Sequence, residues 1–469
     1  MAGKWPYKRV EEIALKVAMG PFGSSIKVDT FTDTGIPIIS GQHLREAELT
    51  DSEFNFITEE HADSLKNANV QRGDVIFTHA GNIGQVAFIS NHSKYQRYII
   101  SQRQFYLRCD TSLILPEFVV YYFKSPEGQH KLLANANQVG VPSIARPSSY
   151  LKTIEVPVPS IEEQQIVVRN IKTLDAKIRA NRRINQTLEA MAQAIFKSWF
   201  VAFDPVKAKI AVIEQDQDPL RAAMRAISGK TDAELDQMPR EHHDQFATTA
   251  ALFPEAMEDS ELGDIPKGWT HGVLGDVCSF TAGSAFKLEH QGSTEGDYPF
   301  IKVSDMNLAG NEVFIQSANN YVSKAQQSEM RAKLHPLGAT VFAKIGVALI
   351  SNRRRLLTTP TIIDNNLMSA SPAEGKSGAY FLYSMLSTID FNTVVSGTAL
   401  PYLNVSDLKK IPIVRPPHDV SCAFERKASS IFSMMQALAA QSSTLADTRD
   451  NLLPKLLSGE VDLSETLEG

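Results

Sequence analysis

"KTIEVPVPSIEEQQIVV" (Lys152–Val168) and "KKIPIVRPPHDVSCAFE" (Lys409–Glu425) decide how this chain is read. Each opens on lysine and a short β-type apolar run, stops on prolines, and enters a long polar–apolar pattern. The second begins 257 residues after the first (409 − 152). Working outward, "GIPIISGQHL" (Gly35–Leu44) resembles "DYPFIKVSDM" (Asp297–Met306), with Pro37 and Pro299 262 apart. "QRGDVIFTHAGNIGQVAFI" (Gln71–Ile89) resembles "HPLGATVFAKIGVALISN" (His335–Asn352), with Gly73 and Gly338 265 apart. "GVPSIARPSSYLKTI" and "TALPYLNVSDLKKI" set Pro142 and Pro401 259 apart, and the start "KWPYKRVEEIA" resembles "GWTHGVLGDVC". Matches in one order, at nearly one offset, imply a duplicated unit.

Each unit has two parts. The first is a run of short β-branched segments such as "GDVIFTHAG" and "QFYLRC", broken by Gly, Pro, Asn and Ser. "PEFVVYYFKSPEGQHKLLAN" interrupts it with helical spacing. The second part is a long helix. Pro157 and Pro159 bar an earlier start, and Ser160 with Glu163 forms a capping box. Leu174, Ile178, Asn181, Asn185, Leu188, Ala192, Ile195 and Trp199 then alternate by three and four. In the second copy Phe424, Ala428, Ile431, Met435, Leu438, Ser442, Leu445, Arg449, Leu452 and Leu456 do the same. That is a heptad pattern, and about 33 to 39 residues give roughly 50 to 60 Å of helix. Neither stripe can stay in water, so the two helices are expected to pack on each other, antiparallel.

The fold class is therefore α+β: two tandem mixed α/β domains, each followed by a long helix, in a pseudo-twofold repeat. The expected boundaries are 1–155 and 263–415 for the domains and 156–203 and 416–463 for the helices. An acidic helical insertion fills 204–262, and 464–469 forms a tail.

Charge follows this division. The net charge is −6 overall, yet 204–262 carries 6 basic and 13 acidic side chains, and 416–469 carries 4 and 8. The other segments are neutral to basic, which permits a nucleic-acid face. Hydrophobic residues at 43% and charged residues at 21% are ordinary for a water-soluble chain. No apolar run is long enough to span a bilayer, and the start lacks a signal peptide's apolar core. Cys109, Cys278 and Cys422 stand far apart, outside any CxxC pair, which fits a reducing cytoplasm.

Catalytic motifs are absent. There is no GxxxxGK[ST] phosphate loop and no GxSxG. "FDPV" (Phe203–Val206) lacks the second proline and the aromatic of an amino-methyltransferase and reads as a helix-ending turn. "ERK" (Glu425–Lys427) reads as helix-surface charge, and the adjacent His242 and His243 point to different faces. What remains are polar loops suited to base edges, since Arg pairs with guanine and Asn or Gln with adenine. In the first unit these are Gln42, His43 and Arg45, then Thr78, His79 and Asn82, then Arg97, Tyr98 and Arg103, then Ser143 and Arg146. In the second they are Lys302, Ser304, Asp305 and Asn307, then Lys344, then Asn352, Arg353, Arg354 and Arg355.

Taken with "GDVIFTHAGNIG", "PVPSIEEQQIVV", "LEAMAQAIFKSWFVAFDPV", "FPEAMEDSELGDIPKGW" and "LLPKLLSGEVDL", the chain resembles the specificity subunit of type I restriction–modification enzymes over essentially its whole length. That resemblance implies two target recognition domains, each reading half of a split DNA site, and conserved helices that hold partners. The partners implied are two methyltransferase subunits and the motor-nuclease restriction subunits. S-adenosylmethionine, ATP and Mg²⁺ would belong to them, and this chain would need no cofactor. Exposed parts of both long helices, with Trp199 and Phe200 at the end of the first, are expected to give the methyltransferases apolar surface to bury. The second unit departs from the pattern: "HPLGATVF" lacks the Asp of "RGDVIF", and "RPPHDVSCAF" lacks the Glu-Gln. On the residues alone two alternatives stay open, a self-sufficient DNA methyltransferase or nuclease, and a coiled-coil assembly protein without DNA.

Overall fold

A computed structural model describes residues 5–23, 25–137, 140–397 and 400–460. The expected tail, the end of the second helix segment and the "TA" of "TALP" lie outside the described residues. The chain divides into two compact units, Met1–Ile178 with Thr444–Gly469, and Arg179–Ser443.

In the first unit, two four-stranded sheets carry the domain. One runs Ala14–Met19, Gln104–Cys109, Asp74–Thr78, Val86–Phe88, all antiparallel. The other runs Asn55–Ile57, Ile36–Ile39, Arg97–Ile100, Asn69–Gln71, with its central pair parallel. Tyr7–Arg9 pairs with Glu155–Pro157, joining the domain's two ends just before the long helix. Helix Pro116–Lys124 is apolar on nearly every side and is buried accordingly.

The second unit repeats this wiring within itself. Cys278–Ala282, Leu367–Pro372, Thr340–Ala343 and Arg355–Leu357 form the antiparallel run, extended by Phe314–Ile315. Tyr298–Ile301 lies parallel to Ile362–Ile363 and antiparallel to Tyr321–Val322. Thr270–Val273 closes on Pro412–Arg415, and Ala379–Thr388 is the buried helix. The missing Asp of the second unit is explained by its partner. Asp74 is buried and bidentate to Arg108, at 2.7 Å twice, across the strand pair. Ala339 and Ser371, each one residue beyond the paired Thr340 and Ala370, take the equivalent places, so both charges are gone together; losing one alone would strand a buried charge.

The long helices run Ile161–Phe200 and His418–Leu457, 40 residues or about 60 Å each. The capping box is present: Glu163 N donates to Ser160 Oγ at 3.2 Å and Ser160 N to Glu163 Oε2 at 2.9 Å. Within the first unit, Ile166, Val167 and Ile171 share a core with Leu453, Leu456 and Leu457. There Arg449 Nη1 donates to Asp175 at 2.9 Å, and the Tyr121 hydroxyl donates to the same carboxylate at 3.1 Å. Within the second unit, Asn181 Nδ2 donates to Gln441 Oε1 at 2.8 Å, Asn185 Nδ2 to the Met435 carbonyl at 3.1 Å, and Phe196 meets Phe424 at 5.4 Å. Numbers that rise on one helix fall on the other, so the pair is antiparallel. Tyr383 donates to Glu189 at 2.5 Å.

Each helix also holds its domain by one side chain. Gln164 is fully buried: Oε1 accepts from Leu115 N at 2.8 Å, and Nε2 donates to the Leu113 and Pro159 carbonyls. Leu115 caps helix Pro116–Lys124. Glu425 stands 261 residues on (425 − 164), and its carboxylate accepts from Tyr380 N at 3.1 Å and Phe381 N at 2.8 Å, the open first turn of Ala379–Thr388. Glu425 is therefore a helix cap and a domain anchor rather than the surface charge expected of "ERK". A Cβ on Gly378 would lie 2.2 Å from its carboxyl carbon, which is why glycine stands there.

One expectation is corrected. Trp199 and Phe200 are 1% and 7% exposed, packed in the chain's own aromatic cluster with Phe253, Trp269, Phe381 and Phe424. They offer no face to a partner. The insertion is part of that core: helices Asp204–Ile213, Pro219–Ser228 and Arg240–Ala251 supply Val206, Met224, Ile227 and Ala250.

Replacing Glu425 by Ala leaves two first-turn N–H groups without their acceptor. Urea unfolding should show a loss of about 1–3 kcal/mol, and Glu425→Gln should lose less. A second expectation concerns pH. His335 is buried against Ser369, and burial pulls its pKa from 6.5 down to about 4. Its contribution is complete above pH 6.5 and is lost as pH falls toward 4, because the unfolded chain takes up a proton the fold refuses. His335→Gln should flatten the fall in melting temperature between pH 6.5 and 5.

Candidate nucleic-acid interface

Three loops of the first unit meet at the end of strand Asp74–Thr78. His79 N donates to the Arg103 carbonyl at 2.9 Å, Ile144 N to the His79 carbonyl at 2.8 Å, and Gly81 N to the Pro142 carbonyl at 2.9 Å. Ala80 bridges Ser143. Gly81 has φ 82°, and a Cβ there would lie 3.3 Å from Arg103 Nη1. The structure thus brings together His79, Asn82, Arg103 and Arg146. Asn82, Arg103 and Arg146 are exposed. Arg146 sits at φ 46°, a left-handed conformation that non-glycine residues rarely hold and that gathers at functional sites. The 41–45 turn abuts this set, since a Cβ on Gly41 would lie 2.9 Å from Gln85, and Gln42 and Arg45 are exposed on it.

The second unit builds the same junction. Lys344 N donates to the Asn366 carbonyl at 2.9 Å, Leu403 N to the Lys344 carbonyl at 2.9 Å, and Gly346 N to the Pro401 carbonyl at 2.8 Å. Ile345 bridges Tyr402, and Gly346 has φ 76°. Lys344 stands in the place of His79. Ser304 and Asn307 are exposed on the 303–307 turn, which Arg355 ties in through the Met306 carbonyl at 3.1–3.2 Å.

Several expected residues serve the fold instead. His43 is 1% exposed and stacks on Phe54 at 4.3 Å. Its Nδ1 accepts from Ser40 N at 2.9 Å, which leaves Nε2 to donate to the Glu53 carbonyl at 3.1 Å. Burial lowers its pKa and keeps it neutral. Asp305 does the same work in the second unit, accepting from Lys302 N at 2.7 Å. Thr78 and Tyr98 are buried, and the Tyr98 hydroxyl, pushed up to about 12 by burial, bonds Asp51. Arg97 lies at the far end of its strand from Arg103 and is spent on Asn69 and Asp63, at 2.6 Å each. Lys302 is held by Gln291 over the Phe286 ring. Within "NRRR", Asn352 bonds Asp390 and Phe391 N, and Arg355 bonds the Met306 and Arg354 carbonyls. Arg354 is 5% exposed, lies 4.1 Å from the Phe391 ring and donates to the Asn352 and Ile389 carbonyls. Arg353 alone of the four is exposed. A run of arginines looked alike in sequence, but strand alternation and the turn at Asn352, φ 55°, send them to different places.

Asn366 and Tyr402 were missed. They take the places of Arg103 and Ser143, and the repeat offset, carried through "SQRQFYL" and "DNNLMSA", could have found Asn366. Among the described residues no group of three or more His, Cys, Asp or Glu side chains could hold a metal ion, and no helix is long and apolar enough to cross a membrane.

Residues 4–190 and 266–445 match the type I restriction modification DNA specificity domain, so the chain belongs to that family and carries the domain twice. It is similar to the HindI type I restriction enzyme specificity subunit of Haemophilus influenzae, 31% identical over 414 residues that cover 84% of this chain and 87% of that one. It is also similar to the MjaIX specificity subunit of Methanocaldococcus jannaschii, 25% identical over 98% of this chain and 94% of that one. A crystal structure of the type I S subunit from M. genitalium aligns over 97% of this chain and 96% of that one, with 13% identity and a TM-score of 0.47. The chain is a specificity subunit of a type I restriction–modification system, a recognition subunit without catalysis of its own.

Arg353 and Arg354 should part company on mutation. Arg354→Ala should cost about 2–4 kcal/mol in chemical unfolding, for the lost ring contact and two carbonyls left without their donor. Arg353→Ala should leave stability within about 0.5 kcal/mol and, if it touches phosphate, lower the salt slope of DNA binding by up to about 0.9.

Proposed function

We propose that this chain reads a bipartite double-stranded DNA site, one half-site per domain, and holds it for two methyltransferase subunits and for restriction motor-nuclease subunits. S-adenosylmethionine, ATP and Mg²⁺ act in those partners. Three free cysteines, Cys109, Cys278 and Cys422, support a reducing, cytoplasmic setting.

One observation carries this reading. The same three-loop junction is built twice on the same strand wiring, and the two copies present different side chains: His79, Asn82, Arg103 and Arg146 against Lys344, Asn366 and Tyr402. A shared scaffold with divergent polar tips is what two readers of two different base sequences require, because base identity is read by the donors and acceptors placed at the groove. In the first domain Gln42, Arg45, Asn82, Arg103 and Arg146 are the readers, with His79 at their base. In the second they are Ser304, Asn307, Lys344 and Arg353. His43, Lys302, Asn352, Arg354 and Arg355 hold these loops in place, while Arg97 is spent on Asn69 and Asp63.

Methylated-base mapping in cells carrying the assembled enzyme tests this. Arg103→Ala and Arg146→Ala should relax or weaken only one half of the methylated motif, by about 1–3 kcal/mol where a base contact is lost. Lys344→Ala should affect only the other half. Changes in both halves from one substitution would refute the division of labour.

A further inference from the structure

Asn82 and Val347 hold one position in the two domains. Each follows a glycine in the left-handed region, Gly81 at φ 82° and Gly346 at φ 76°. Each glycine donates its N–H to a proline carbonyl, Pro142 at 2.9 Å and Pro401 at 2.8 Å. The offset is 265 in both cases (346 − 81 and 347 − 82). The position is therefore fixed by backbone bonds, while its side chain is free: Asn82 is exposed, and Val347 is 82% exposed. A polar amide needs no explanation there. A β-branched aliphatic side chain almost wholly in water, on a turn held this firmly, does.

Val347 has apolar company. Leu400 is 57% exposed, and its Cδ1 lies 3.9 Å from where a Cβ of Gly346 would stand. Ile350, one turn along, is 55% exposed. The patch adjoins Lys344 and Tyr402, members of the reading junction, so it is continuous with the surface assigned to DNA. A base edge in the major groove offers one apolar feature, the C5-methyl group of thymine, and aliphatic side chains read it by contact. An asparagine in the same place reads adenine through N6 and N7.

Resting on the bipartite reading above, we propose that position 82/347 is a base-reading position common to both domains, and that Val347, backed by Leu400, reads the methyl group of a thymine in the second half-site. The first domain reads adenine with Asn82 in the corresponding place. The two domains differ in chemistry at this position, one apolar and one bidentate polar, which gives the two half-sites different bases.

The test uses the complete methyltransferase assembly and its own mapped site. Duplexes carry deoxyuridine for each thymidine in turn, which removes the methyl group and leaves the pairing intact. In the half-site altered by Lys344→Ala, one such exchange should weaken binding about fourfold, the worth of one buried methyl. Val347→Ala should abolish that sensitivity, and Leu400→Ala should reduce it. Val347 is so exposed that neither folding nor assembly should suffer. Deoxyuridine in the other half-site should act the same on wild type and Val347→Ala. A second half-site without thymine, or a Val347→Ala enzyme as sensitive to deoxyuridine as wild type, overturns the proposal while leaving the bipartite reading intact. Absence of any bipartite methylated site overturns both.

Discussion

The first turn of a helix presents N–H groups that no residue of the helix can satisfy, and burying them without acceptors is costly. In each unit that need is met from a long helix. Gln164 accepts from Leu115 N at 2.8 Å, and Glu425 accepts from Tyr380 N and Phe381 N at 3.1 and 2.8 Å. The acceptor sits within the first eight residues of each long helix, and the donors belong to the buried helix of each domain. Together with the strand pairs Tyr7–Arg9 with Glu155–Pro157 and Thr270–Val273 with Pro412–Arg415, this contact fixes a recognition domain onto a helix at two points. The loops at the other strand ends are thereby relieved of structural duty.

That separation of holding from reading runs through both units. Buried polar groups such as His43, Asp305 and Arg354 set the loop backbones, while their exposed neighbours Gln42, Ser304 and Arg353 are free to vary. The seam between the long helices follows the same logic. Asn181 and Asn185 break the apolar stripe but are paired to Gln441 and Met435 across it, which specifies register at some cost in stability.

Much of this was legible from the chain. The duplicated proline-to-helix stretch gave the domain count, the capping box at Ser160 and Glu163 gave the first helix start, and the heptads gave the antiparallel pair. The site was legible only as a set of loops. Which residue on a loop faces solvent depends on the turn: Asn352 at φ 55° sends Arg354 inward onto Phe391 and leaves Arg353 outside, and no composition rule says so. Trp199 and Phe200 misled for a similar reason. They end a helix, where apolar residues resemble a docking patch, and only the packing of the insertion shows what covers them. Val347 was passed over because an aliphatic residue does not advertise itself as a base reader.

The central claim is that the chain holds two interchangeable readers on one scaffold. Replacing residues 270–415 by residues 7–157, joined at the matching closing strands, tests it most directly. Methylation mapping of the assembled enzyme should then find a site in which both halves carry the bases of the original first half. Methylation at the original two-part site, with its second half unchanged, would contradict the account.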